Sequence, residues 1–282
     1  MGARDNMARS DPTTLNLPPF YGTVRQLVIA NVAVYFAMAV LGWLAPAAAY
    51  THTTHLWLQP AAIVTWPWHL WEPFTYSFLN LSIVSILISM LMVWMFGSIL
   101  EGTYGSRFLR EVYFASSIGG AVLAAAVSFT HILKLSPYSV DAGAASAIFG
   151  VMVAVAMRMG ELEILLWFLV RVRIKYLVAI YVLIDLAYLL KDANAFGALL
   201  HLSAGLCAFL YVNYAPTRGL AFAFSEQAFA LRNAWYRNKR RRAARKFEVY
   251  MGKQGRKVTF DKEGRYLDPD RHKDPNDKRW MN

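Results

Sequence analysis

The chain has 282 residues, of which 57% are hydrophobic, 15% aromatic and only 17% charged, with a formal net charge of +11. This composition excludes an ordinary soluble domain and points to a polytopic, all-α membrane protein. A single cysteine, Cys207 in an apolar run, excludes a disulfide framework and a cysteine-based metal site.

Residues 1–25 are polar and form an N-terminal tail. Leu27 to Leu41, followed by Ala47 to Ala49, faintly resembles a signal peptide, but the preceding segment is long and further apolar runs follow, so a retained first helix is expected. Runs able to span about 30 Å of hydrocarbon fall near residues 26–48, 74–98, 108–133, 144–160, 175–190 and 195–214. Six spans would put both termini on one side of the membrane and define a domain over residues 26–214. Ile164 to Val170 is apolar too, but Arg171, Arg173 and Lys175 separate it from the fifth run, which suggests a short interfacial segment.

Charge placement tests that topology, because cytoplasmic loops collect Lys and Arg. In the six-span arrangement 27 of the 29 basic residues fall on the side of the termini, and only Lys134 and Lys191 lie opposite. Both termini are therefore expected in the cytoplasm, at the cytoplasmic membrane if the source is bacterial. The opposite loop, Tyr50 to Pro73, carries Trp57, Trp66, Trp68 and Trp71 with His52, His55 and His69, a tryptophan density suited to a membrane interface. His52 and His55 have half the spacing pattern of a metal site but no carboxylate or cysteine nearby to complete it, so no metal is expected.

Gly143 to Gly150, read Gly-Ala-Ala-Ser-Ala-Ile-Phe-Gly, opens the fourth run with small residues and one hydroxyl. Small residues let helix backbones approach in lipid. The hydroxyl of Ser146 is either a packing group or a nucleophile, and the second role needs a neighbouring base. His201 lies in the interior of a long apolar segment, and an ionisable group there is a functional candidate. Asp185 in the fifth run reads as a structural partner or a snorkelling position, since no spacing rule connects it to His201. Ser82, Ser85 and Ser89 follow helical spacing and fit close packing.

Residues 215–282 form a soluble tail. Phe222, Phe224, Phe229, Leu231 and Trp235 precede a basic helix with Arg237, Lys239, Arg240, Arg241, Arg242, Arg245 and Lys246, a juxtamembrane cluster suited to anionic lipid at about 1 kcal/mol per basic residue. A nucleic-acid partner fits less well, because the tethering bilayer is already within reach. Phe247 to Tyr250 and Lys257 to Phe260 flank a glycine-containing turn and could pair as a small hairpin. The last fifteen residues have the composition of a disordered end. Dinucleotide loops, P-loops and His-Glu-x-x-His helices are missing from the sequence, so no cofactor is expected. A solute transporter has little support without inverted repeats or paired broken helices.

Several stretches recur together in order. They are Trp71 to Leu79 (Trp-Glu-Pro-Phe-Thr-Tyr-Ser-Phe-Leu), then Trp94-Met95-Phe96-Gly97 with Glu101 and Gly105, then Phe108, Tyr113, Gly119 and Gly120, then Gly143 to Gly150, and His201 in His-Leu-Ser-Ala-Gly. Over about residues 24–214 this series resembles the rhomboid family of intramembrane serine proteases. The resemblance implies a six-helix bundle with a Ser-His dyad in a water-filled cavity, where imidazole accepts the serine proton and donors hold the oxyanion. The family's fourth-helix motif is written Gly-x-Ser-Gly with a glycine five residues after the serine. Counted from either glycine, the nucleophile position here is Ala145, and Ser146 stands one residue late. The second-helix His-x-x-x-Asn positions hold Ser85 and Ser89, and a further frequent histidine is Asn80. Of the four polar positions only His201 matches. Two functions therefore stand open: a rhomboid-like pseudoprotease that binds transmembrane segments of other proteins, or an active serine endopeptidase, a hydrolase using Ser146 with His201.

Overall fold

Backbone amides inside a bilayer must be satisfied within their own segment, which leaves helices as the economical solution for long apolar runs. A computed structural model describes residues 18–65, 69–132, 135–166, 170–191, 194–214, 220–254, 258–261 and 265–267. Two units separate, Met1–Ala215 and Pro216–Asn282. The first holds α1 (Gly22–Leu44), α2 (Pro46–Leu56), α3 (Pro60–Thr65), α4 (Glu72–Thr75) with a 3-10 turn at Tyr76–Phe78, and α5 (Ile83–Ser128). There follow α6 (Ala145–Met159), β1 (Glu163–Leu166), β2 (Val170–Arg173), α7 (Ile174–Leu190) and α8 (Ala195–Tyr214).

Among the described residues three helices, α1, α5 and α8, are long and apolar enough to cross a membrane. The 46 residues of α5 are broken at Gly105, whose φ of 84° and ψ of 162° are open to glycine and not to a residue with a Cβ. The second and third apolar runs thus meet at a kink. By length, α6 and α7 are shorter, with 15 and 17 residues, or about 22 and 25 Å at 1.5 Å per residue. The second run begins later than expected, because residues 72–78 form short turns and Ser82 caps α5 by accepting the Ser85 N–H at 3.1 Å.

The central helix is α6. Nine of its fifteen residues are buried, including Ser146 to Met152 without a break, as expected of a helix that is apolar on every side. Small residues bring its neighbours in. A Cβ on Gly150 would collide with the Ser116 side chain of α5, and one on Gly120 would lie 2.8 Å from Ala204 Cα of α8. In contrast α7 buries only Ile174, Leu177, Asp185 and Leu189, and so sits at the periphery.

The start of α1 is held from α5. Glu101, 4% exposed, accepts the Thr23 N–H at 2.7 Å and the Val24 N–H at 2.9 Å, one on each carboxylate oxygen, and also accepts from Ser106 Oγ. A carboxylate at a helix N-terminus answers both the open amides and the helix dipole. Between α6 and α7 the chain forms an antiparallel pair, with Glu163 opposite Arg173 and Leu166 opposite Val170.

The loop after α1 is largely helical. It is tied to the segment before α6 by an antiparallel bridge between Leu58 and Asp141 and by the Ala61 N–H donating to Pro137 O at 2.8 Å. Trp66, Trp68 and Lys134 lie outside the described residues, as do residues 1–17 and 268–282, so the expected disordered end is not among them.

The second unit holds α9 (Leu220–Lys253), β3 (Thr259–Phe260) and β4 (Tyr266–Leu267). The expected hairpin is corrected in its membership. Phe247 to Tyr250 stay in α9, and Phe260 pairs with Tyr266. The reason is side-chain packing: Phe247 on α9 meets Phe260 edge-on at 6.2 Å, and Phe260 meets Tyr266 at 6.1 Å. Continuing the helix keeps Phe247 on the face that this pair covers.

Candidate functional site

The site begins where the chain enters α6. Gly143 has a φ of 124°, and its N–H donates to Tyr76 O at 2.8 Å. One step of α-helix turns the next side chain by about 100°. The two candidate nucleophile positions therefore face differently: Ala145 is exposed, whereas Ser146 is 1% exposed.

Ser146 Oγ lies 2.8 Å from Tyr76 Oη, and Tyr76 donates to Ser117 O at 2.9 Å. A phenol has one proton. With that proton on Ser117 O, Ser146 is the donor in the pair, so its proton points at a phenol oxygen and not at a base. Tyr76 and Ser117 are both fully buried. This is a satisfied polar contact between α6, α5 and the turn before α5.

His201 is engaged elsewhere. Its Nδ1 is 3.2 Å from Asp185 Oδ1, and its ring lies 6.3 Å from that of Phe149 at an interplanar angle of 32°. No hydrogen bond joins Ser146 to His201 among the described residues. Asp185, expected as a structural partner or a snorkelling position, is the partner of His201. The two are sixteen residues apart, but α7 ends at Leu190 and α8 begins at Ala195, so they lie at similar depth. The second carboxylate oxygen, Oδ2, is buried without a partner among the described residues.

The second-helix positions are scattered. Asn80, 3% exposed, donates from Nδ2 to Asn31 Oδ1 at 3.0 Å, and Asn31 in turn donates to Leu27 O at 2.9 Å. Ser85 is exposed in the first turn of α5, while Ser89 is buried. The serine row thus splits between a helix-start position and a packing position.

A second polar group occupies the loop that precedes α5. Glu72 is fully buried; its Oε2 accepts the Gln59 N–H at 2.9 Å, and its Oε1 lies 2.9 Å from His69 Nδ1. His69 Nε2 is 3.0 Å from His55 Nδ1, and the Trp71 indole N–H donates to His55 O at 2.8 Å. Burial raises Glu72 from 4.5 to about 7, against the opposing Gln59 hydrogen bond. Burial, followed by the nearby His55, lowers His69. Among the described residues no group of three His, Cys, Asp or Glu has the arrangement to hold a metal ion. Tyr76 and Glu72 both lie in the quoted stretch Trp71 to Leu79, but nothing in its spacing names their partners.

On α9 the residues Arg237, Lys239, Arg240, Arg241, Arg242, Arg245 and Lys246 are all exposed. At 100° per residue they encircle the helix and leave no single basic face.

Comparison with known proteins places this geometry. A model of the Rhomboid domain matches residues 67–216, more than half of the chain, from the loop before Trp71 through the end of α8. No curated protein matches the chain. The bundle that carries Ala145, Ser146 and His201 is that domain, and the protein, an integral membrane protein, belongs to the rhomboid family.

Proposed function

We propose that the chain is a rhomboid-like pseudoprotease that binds transmembrane segments of other proteins and does not cleave them. One observation carries this reading: the Ser146 hydroxyl is buried against Tyr76 while His201 is taken by Asp185, and the position exposed at the start of α6 is Ala145. A serine whose proton is directed to a phenol is not activated. Repositioning by about 1 Å can cost on the order of a hundredfold in rate, and Ser146 would have to turn by about 100°. The oxyanion positions add to this. Asn80 donates to Asn31, and Ser85 and Ser89 replace longer donors, each lost donor typically costing about 10²–10³ in rate.

In this reading the bundle crosses the membrane six times, the two limbs of α5 counting separately, with both termini in the cytoplasm. The asymmetry of 27 basic residues to two supports that orientation. The three proposed regions are a tail over residues 1–25, the membrane domain over 26–214 and a basic tail over 215–282 that contacts anionic lipid.

The test is labelling of the purified protein with a serine-reactive fluorophosphonate beside a Ser146→Ala control. No labelling of Ser146 is expected. Labelling that disappears in the control would establish the rival reading, an endopeptidase using Ser146 and His201. Ala145→Ser alone is expected to cleave a model transmembrane substrate poorly, because the oxyanion donors are also changed.

A further inference from the structure

Two ionisable side chains meet at the end of the first unit where α6 begins, and a third, Asp141, acts on one of them through its charge. Asp185 is five residues from the end of α7 and His201 six residues from the start of α8, so both lie about 7–9 Å from the consecutive ends of these helices. Asp141 belongs to the loop that leads into α6. Burial raises it, and His201 is close enough to oppose that rise. Ala145 and Phe149 share one face of α6 at a spacing of one turn, and the Phe149 ring reaches His201.

The charge balance here is unequal. With both carboxylates ionised, one imidazole cannot neutralise them in either of its states. The nearest basic residue along α7 is Lys191, which is exposed at the helix C-cap. Asp185 is 5% exposed, and its Oδ2 has no partner among the described residues. A buried carboxylate oxygen accepts hydrogen bonds only and gains most from a charged donor. Lysine and arginine inside a transmembrane segment seek such partners and extend along their stems toward an interface. A metal cation fits less well, since the described residues contain no group of three ligands arranged to hold one.

We propose that Asp185, held by His201 and reinforced by the charge of Asp141, forms a recognition site for a basic side chain carried by a client transmembrane segment, level with the start of α6. This rests on the reading that the chain binds transmembrane segments. It gives His201 a role beside Asp185 that does not involve Ser146: it holds one oxygen of Asp185 and leaves the other for the ligand.

The experiment uses the full-length protein in nanodiscs and synthetic helices of about twenty leucine and alanine residues. One helix carries a single lysine near its end, and its twin carries norleucine. The lysine helix is expected to bind at least tenfold more tightly. Asp185→Asn is expected to reduce its affinity to that of the norleucine helix, and a single cooperative melting transition in scanning fluorimetry reports that the variant is folded. Equal binding of the two helices to the unaltered protein would overturn the cluster's role and leave segment binding intact. Failure of both helices to bind would overturn the client-binding reading together with this inference. The two-peptide comparison needs no variant, so a misfolded substitution cannot obscure it.

Discussion

Replacing Glu72 by glutamine should change how the stability of the protein depends on pH. The carboxyl is fully buried, and burial raises it from 4.5 to about 7. A carboxyl raised in the folded state binds its proton more readily there than in the unfolded chain. Between pH 4.5 and about 7 the folded protein therefore holds more protons, and stability falls as pH rises. At 1.36 kcal/mol per pH unit, the displacement amounts to about 3 kcal/mol. His69 acts in the opposite direction. Lowered by burial and then by His55, it favours the neutral ring when folded, so its contribution is lost as pH falls below 6.5. In Glu72→Gln only the His69 slope remains. Scanning fluorimetry in detergent from pH 4.5 to 8 should show the melting temperature of the unaltered protein dropping relative to the variant by roughly 6–12 °C. Parallel pH profiles for the two proteins would refute the assignment of a buried, reluctantly ionised carboxyl to this loop.

Glu101→Gln replaces one acceptor oxygen with an N–H₂ group facing an N–H at the start of α1. The expected loss is about 2–3 kcal/mol, with faster hydrogen exchange at Thr23 and Val24; unchanged exchange there would contradict the capping role. Gly150→Ala should cost about 1–3 kcal/mol through collision with Ser116, and Ser116→Gly in the same chain should recover much of it. Melting temperatures of the single and double variants check this, and additive losses would place the strain elsewhere. Replacing Arg237, Lys239, Arg240, Arg241, Arg242, Arg245 and Lys246 with glutamine should reduce the number of anionic lipids retained in native mass spectrometry of the full chain. Unchanged retention would remove the tail from the lipid contact.

The long apolar helices could be located from apolar runs, because in lipid the hydrophobic pattern and the need to satisfy every backbone amide select the same elements, whereas α2 and α3 in the loop could not. The contrast between Ala145 and Ser146 was legible too, since one residue of helix is a fixed rotation and the flanking glycines set the register. What the serine touches was not. Tyr76 is seventy residues away in sequence, and hydrogen bonds over that span follow no periodicity. The same holds for Asp185 and His201, whose encounter depends on how tightly the chain turns between α7 and α8. The hairpin was misassigned for a related reason. Phe247, Val249 and Tyr250 are residue types that suit a strand, but the helix that precedes them continues because its face is covered by Phe260. The basic residues of α9 could be counted from sequence, and only their helical placement reveals that they surround it.

The cap on α1 also bears on biosynthesis. Thr23 emerges from the ribosome 78 residues before Glu101, an interval of about 4–16 s at typical elongation rates of ~5–20 residues per second. During that interval the first amides of α1 lack their native acceptor, whatever the hydrophobic stretch behind them has already done in the bilayer. A chain arrested in this window can hold an inserted first helix but not a finished one. Completion of α1 is thus timed by the arrival of a residue in α5, and the two helices reach their final state together.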